Sequence, residues 1–378
     1  MIDPVRQEVV ALADTIVVKV GTNVLAAADG TLERQRVQTL VDQLLRIRST
    51  GKRVVLVSSG AIGAGIGQLG LSARPTDLRQ LQACAAVGQN ALMQLYQECL
   101  APHDVHAAQI LLTAGDFDSR TRYLNARNTI QALLEWNCLP IINENDTISV
   151  AEIKFGDNDH LAAMVTNLLQ APLLVILTTV DGLYSSDPRT NPGAQLLTTV
   201  PHIDVAVTGM AGASKSSLGT GGMRSKLRAA RLATAAGESV IIANGGRANV
   251  LDAIITGEPV GTLFLPHGET VPAYKRWLGY TARPKGRLLL DAGALEAVRQ
   301  RGRSLLPVGV VAVTGAFGKG DVVALCDSHG VEFARGLSNY SSTDAEKVLG
   351  LTSERIAEVL GTAPYEELVH RDNLALVE

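Results

Sequence analysis

The chain has 378 residues, 46% hydrophobic and 19% charged, with a formal net charge of −3. That length has room for two domains, and that composition fills a sizeable core, which excludes a disordered chain. A slightly acidic balance excludes a protein that holds nucleic acid through bulk charge, while leaving room for a local basic patch.

From the N-terminus, Asp3 and Glu8 stand where a signal peptide needs a basic flank, and Asp14 interrupts the next apolar stretch, so no leader is expected. No window approaches the apolar length that spans a bilayer, which predicts a protein without a membrane segment. Cys84, Cys99, Cys138 and Cys326 are widely spaced and form no C-x-x-C pair, and a reducing cytoplasmic location fits them best. Aromatic residues make up only 4%, so the core is built from Ala, Val, Leu and Ile.

Strands are predicted at Thr15–Val20, Arg53–Ser58, His106–Leu112, Leu139–Asn143, Leu173–Thr178 and Ser239–Ala243. Helices are predicted between them, at Leu32–Arg48, Leu78–Leu100, Tyr123–Trp136, His160–Leu169 and Met223–Ala236. The run Leu173-Leu174-Val175-Ile176-Leu177 is apolar at every position, which is what a strand buried on both faces requires. The expected fold is therefore α/β, an open and mainly parallel sheet sandwiched by helices. Near residue 265 the pattern changes. Pro266, Pro272 and Pro284 mark a linker over 266–284, after a first domain over 1–265. Short strands follow at Arg287–Leu290, Gly309–Thr314, Asp321–Cys326 and Val331–Leu337, with helical patterns at Ala292–Arg301 and Thr343–Leu360. They describe a small β-rich domain over 285–363, with a C-terminal tail over 364–378.

In an open parallel sheet, ligands sit outside the carboxyl ends of the strands. Four predicted strands end in small, polar or charged residues: Lys19-Val20-Gly21-Thr22-Asn23, Ser58-Ser59-Gly60, Asn143-Glu144-Asn145-Asp146 and Thr178-Thr179-Val180-Asp181. Lys19 alone reads as a solvated strand-end residue, but the glycine after it lets backbone N–H groups approach an anion. Ser217–Lys226 places three glycines before a helix, which reads either as a phosphate cradle at a helix N-terminus or as a flexible surface loop. Gly65–Gly70 spells G-x-G-x-x-G without directly following a strand, and it reads as a helix ending in a loop rather than a dinucleotide site. No Walker-type G-x-x-x-x-G-K-[ST] run occurs. Glu144, Asp146, Asp157 and Asp159, with Asn143, Asn145 and Asn158 interleaved, form a cluster richer than a helix cap needs, and Asp146, Asn158 and Ser59 suit an amino acid's ammonium and carboxylate groups. The pair His103 and His106 lacks a third ligand, and no metal-ligating protein residues are assigned.

With these residues in view the chain resembles the amino acid kinase family over nearly its whole length. The resemblance rests on Val18–Thr22, Ser58–Ile62, Tyr123–Arg127, Ile142–Asp146, Gly156–Asp159 and Gly219–Met223. Residues 285–363 resemble a PUA domain, a small β-barrel-like module better known from RNA-modifying enzymes. The resemblance implies an ATP-dependent phosphorylation of the side-chain carboxylate of L-glutamate, the first step of proline biosynthesis, giving L-glutamyl 5-phosphate and ADP. It implies Lys19, Asp159 and Lys226 as catalytic residues, with the lysines neutralising the phosphoryl group and Asp159 orienting both. Ser59, Asp146 and Asn158 would hold glutamate. Lys19, Thr178, Thr179, Thr220, Gly221, Gly222, Met223, Arg224, Ser225 and Lys226 would contact ATP. Where the family often has Thr-Asp this chain has Thr178-Thr179, which leaves the nucleotide contact there to Thr179 backbone or to Asp181. Mg²⁺ is expected on the ATP phosphates. Feedback by proline, a homo-oligomer and a downstream glutamyl phosphate reductase are further implications. Two alternatives stand beside this reading. One is a kinase of the same fold acting on another carboxylate or on UMP. The other is RNA binding or regulation through 285–363, where Arg283, Lys285, Arg287, Arg299, Arg301 and Arg303 are locally basic.

Overall fold

The computed structural model describes residues 2–27, 31–148, 158–211, 222–266, 273–351, 353–360 and 365–377. The chain divides into two compact units, Met1–Thr270 and Val271–Glu378.

The first unit is built on an eight-stranded sheet. Its strands are β1 (Thr15–Val20), β2 (Arg53–Ser58), β3 (Ala107–Leu112), β4 (Leu139–Glu144), β5 (Leu173–Thr178), β6 (Thr199–Val200), β7 (Ser239–Asn244) and β8 (Thr262–Phe264). They are ordered β3-β4-β2-β1-β5-β7-β8-β6, and the first six in that order run parallel. β8 runs antiparallel to β7, and β6 pairs parallel with β8. All six residues of β1 are buried, because it lies between β2 and β5 with helices over both faces. Side chains alternate along a strand. Ile16, Val18 and Val20 enter a core with Val37, Val41, Leu44, Leu92, Tyr96 and Leu251, which come from the helices Arg34–Ser49, Leu78–Leu100 and Val250–Ile255. Lys19 falls on the opposite face. There the helices Asn158–Leu169 and Met223–Ala235 pack on one another.

The predicted strands and helices of this unit form at the expected places. β1, β2, β5 and the helix Leu78–Leu100 have the expected bounds, and the helix expected from His160 begins two residues earlier, at Asn158. The two short strands β8 and β6, which close the sheet beyond β7, have no counterpart in the sequence reading. Arg6 of the N-terminal helix Pro4–Leu12 secures that edge. Its buried guanidinium donates to the carbonyls of Thr198, Val260 and Gly261.

Glycine sets the position of the loop after β2. The helix Ala61–Gln68 crosses Leu78–Leu100 so closely that a Cβ on Gly65 would lie 1.8 Å from the Cys84 carbonyl oxygen, and one on Gly88 would lie 1.8 Å from that of Ala61. Gly65, the first glycine of the G-x-G-x-x-G run, is thus a helix-crossing residue. Gly88→Ala forces backbone against backbone and is expected to cost about 1–3 kcal/mol or more. A thermal melt several degrees below wild type checks this. An unchanged melt would mean that the two helices separate without penalty.

The second unit has a five-stranded, mostly antiparallel sheet: β9 (Gly286–Leu290), β10 (Val310–Gly315), β11 (Val322–Cys326), β12 (Glu332–Leu337) and β13 (Leu374–Leu376), ordered β10-β9-β11-β12-β13. Only the β9/β11 pair is parallel. Leu288, Leu325, Phe333 and Tyr340 lie in its own core. Three details differ from expectation. The helix expected over Thr343–Leu360 is two helices, Ser342–Lys347 and Ser353–Leu360, because Gly350 lies between them at φ +69°. Part of the proline-bearing 266–284 stretch is helical, over Ala273–Arg276 and Trp277–Thr281, with Trp277 and Leu278 buried. Residues 374–376 of the expected tail pair with β12 and extend the sheet. Among the described residues no helix is long and apolar enough to cross a membrane.

Candidate active site

The carboxyl ends of β1, β2, β4 and β5 lie side by side because these strands are parallel neighbours. On that edge Ser59 N–H donates to the Val20 carbonyl (3.3 Å) and Gly21 N–H to that of Leu177 (3.4 Å), so the three loops are tied together by backbone.

Lys19 of β1 and Lys226 of the helix Met223–Ala235 meet on one carboxylate. Lys19 Nζ lies 2.6 Å from Asp159 Oδ1, and Lys226 Nζ lies 2.9 Å from Oδ2. Ser225 Oγ also donates to Oδ2, at 2.9 Å. Asp159 is 0% exposed, Lys19 5% and Lys226 6%, so all three charges are withdrawn from water. Burial alone would raise the Asp159 pKa, but the two ammonium groups hold it well below the usual carboxylate range. Two cations on one anion leave the triad with a surplus positive charge. A buried surplus of this kind is costly unless an anion completes it.

A second cluster is made of amides and hydroxyls. Asn158, which opens the helix that carries Asp159, donates from Nδ2 to Ser59 Oγ (2.8 Å), the Ser58 carbonyl (3.0 Å) and Asn143 Oδ1 (2.9 Å). Asn143 Nδ2 donates in turn to Gln89 Oε1 (2.9 Å). Beneath it the Ser58 and Tyr96 hydroxyls share a buried hydrogen bond of 2.8 Å. Because Asn158 and Asp159 are consecutive, the amide cluster and the ion triad are held by the same helix start. Asp146 stands half-buried in the turn after β4.

The residues expected at the nucleotide divide. Gly222 precedes the helix carrying Lys226, and its carbonyl accepts from Ser225 N–H (3.2 Å) and Ser225 Oγ (2.8 Å). Arg224 Nε donates to the Ala211 carbonyl (3.2 Å), joining the two ends of the segment that leads into this helix. Met223 is half-buried at the helix start. Thr220 and Gly221, together with Asp157 of the acidic cluster, lie outside the described residues. Thr178 ends β5, and its carbonyl accepts from Gly245 N–H (2.8 Å). Thr179 lines a cleft of about 470 Å³ with Asn23, Gln43, Asn244 and Gly245. Asp181 already has a donor on each oxygen, Asn244 Nδ2 at 2.9 Å and Tyr184 O–H at 3.1 Å.

The sequence reading assigned no role to Gln89 or Tyr96. Their one local signal is a polar atom on the buried stripe Cys84, Ala85, Gly88, Gln89, Leu92, Tyr96 of a long helix. Among the described residues no three His, Cys, Asp or Glu side chains cluster as a metal site.

A sheet with an anion-seeking lysine pair at its carboxyl edge defines a class of phosphoryl-transfer protein, and the chain belongs to the amino acid kinase family, whose pattern matches residues 14–244. A PUA domain matches residues 286–360. The curated relatives similar to it are glutamate 5-kinases. That of Pseudomonas putida is 48% identical over 361 residues, covering 96% of this chain and 97% of the relative. The one from Pelobacter propionicus is 45% identical over 372 residues, covering 98% and 100%. A solved carbamate kinase from Giardia lamblia, bound to AMP-PNP, aligns with a TM-score of 0.49 and 20% identity over 68% of this chain and all of that one.

Proposed function

We propose that this protein transfers the γ-phosphoryl group of ATP to the side-chain carboxylate of L-glutamate, forming L-glutamyl 5-phosphate and ADP on the route to proline. The observation that carries this reading is the buried Lys19–Asp159–Lys226 triad and its surplus positive charge. The glutamate 5-kinase relatives supply the acceptor.

The glutamate side chain has a reference pKa of about 4.3 and is already ionised at neutral pH, so no general base is required. The obstacle is the approach of a carboxylate to a polyanion. A pair of unit charges at 4 Å repels by about 4 kcal/mol at an effective dielectric of 20. Lys19 and Lys226 cancel that repulsion from opposite sides of Asp159, which fixes both ammonium groups before substrate arrives. Preorganisation of this kind acts on the charge of the transition state without reorganisation at the moment of transfer. The carboxylate oxygen forms its bond to phosphorus as the bridging oxygen leaves with ADP.

Ser59, whose Oγ accepts from Asn158, keeps its O–H for the acceptor, Asn158 holds that hydroxyl in place, and Asp146 offers a carboxylate to the ammonium. Thr178, Thr179, Gly222, Met223, Arg224 and Ser225 are assigned to the nucleotide, as are Thr220 and Gly221, which lie outside the described residues. Magnesium belongs to the same reading and supplies charge neutralisation at the phosphates. Both Asp159 oxygens are engaged by the lysines, so Asp159 is a poor ligand for the ion, and ATP oxygens and water would hold it.

Asp146→Ala is expected to raise the KM for glutamate far more than the KM for ATP in steady-state assays. An equal rise for both would remove Asp146 from the ammonium site. The function itself is tested by ADP release with glutamate, aspartate, N-acetylglutamate, carbamate and UMP offered singly. Glutamate gives the highest kcat/KM. A higher value with any other acceptor would reassign the substrate.

A further inference from the structure

We infer that Gln89 is an additional substrate-contacting residue, whose side-chain N–H₂ donates to an oxygen of the bound acceptor. This rests on the glutamate-kinase reading above and adds a specificity-determining group to it.

Asn143 Oδ1 accepts from the backbone N–H of Glu144 at 2.9 Å, and a backbone N–H can only donate. That contact fixes which end of the Asn143 amide is oxygen. Asn143 Nδ2 is therefore the end that faces Gln89 at 2.9 Å, so the Gln89 atom it meets is the oxygen Oε1. Gln89 Nε2 is then the free end. It is buried, with no hydrogen-bond partner among the described residues, on a side chain only 8% exposed.

A buried amide N–H₂ without an acceptor is destabilising, and an unsatisfied group of this kind in a native protein calls for an explanation. Here it sits one amide away from Asn158 and two from Ser59, at the carboxyl edge of β4. The chemistry it lacks is an acceptor, and an amino dicarboxylate supplies acceptors. The Glu144 backbone fixes Asn143, Asn143 fixes Gln89, and the same Asn143 oxygen receives Asn158. The backbone of β4 thus presets the free Gln89 donor before substrate enters.

Gln89→Glu separates this role from simple support of Asn143. The variant keeps an oxygen for Asn143 Nδ2 and replaces the free donor with an anionic oxygen. The KM for glutamate is expected to rise about tenfold or more while the KM for ATP stays within about twofold of wild type. Gln89→Met, of similar volume and uncharged, is the second arm, and it too raises the glutamate KM selectively. Thermal melts and ATP KM values confirm that each variant is folded. Wild-type turnover with a glutamate KM unchanged in a folded Gln89→Glu or Gln89→Met protein would overturn this inference alone. An effect confined to Gln89→Met would do the same, assigning Gln89 only to the support of Asn143. Wild-type protein that releases no glutamate-dependent ADP would overturn the parent reading and this inference with it.

Discussion

Lys226→Met is expected to lose most of its turnover, about 10²–10³-fold in kcat, while the KM for glutamate stays near that of the wild-type protein. Methionine matches the length of the lysine stem and fills the same buried space, so the substitution removes a charge rather than a packing element. What remains is Lys19 on Asp159 at 2.6 Å, a pair with no net charge. The surplus that draws a phosphoryl group is then gone, and the two reacting anions meet with less compensation. On the proposed assignment glutamate is held by Ser59, Asp146 and Asn158 rather than by Lys226, and so KM is spared. Rate measurements at saturating ATP and glutamate check this. A variant with near wild-type kcat would show that Lys226 is an ordinary helix residue.

Asp159→Ala is more damaging because it removes the one anion between two buried cations. Breaking a buried charge cluster in this way costs about 3–5 kcal/mol, and kcat falls along with stability because both ammonium groups lose their anchor. The acid limb gives a further check. The folded-state pKa of Asp159 is depressed, so its contribution to stability is present above the unfolded value of about 3.9 and is lost as pH falls below it toward the folded value. Asp159→Asn therefore lies furthest below wild type near neutral pH, and the gap between the two melts narrows below about pH 4. A gap that is constant through that range would contradict the depressed pKa.

Much of the sheet was legible because its signal is local. β1, β2 and β5 are apolar at nearly every position, which only a doubly covered parallel strand tolerates. β6 and β8 escaped because two and three residues carry no period. Thr343–Leu360 read as one helix because its apolar spacing continues past Gly350, and only the φ of +69° shows the break. The ion triad was legible in part. Lys19 and Lys226 each adjoin a glycine turn, but nothing local shows that they reach the same carboxylate. Asp159 read equally well as a helix cap until its depth and its two partners were known. The amide relay was illegible for the same reason in stronger form. Gln89 and Asn143 are 54 positions apart, and they meet only once the helix Leu78–Leu100, crossed closely by Ala61–Gln68 at Gly65 and Gly88, packs beside β4. The choice between Thr179 and Asp181 stays open: Thr179 lines the cleft, and Asp181 accepts from Asn244 and Tyr184.

On the proposed mechanism two lysines clamped on Asp159 let a carboxylate, rather than an activated hydroxyl, attack ATP. The direct test is product chemistry: ADP release from wild-type protein with glutamate in the presence of hydroxylamine, with the hydroxamate measured in parallel. Hydroxylamine intercepts an acyl phosphate, so the account predicts γ-glutamyl hydroxamate forming in step with ADP and lost in Lys226→Met. Glutamate-dependent ADP release without hydroxamate would contradict it.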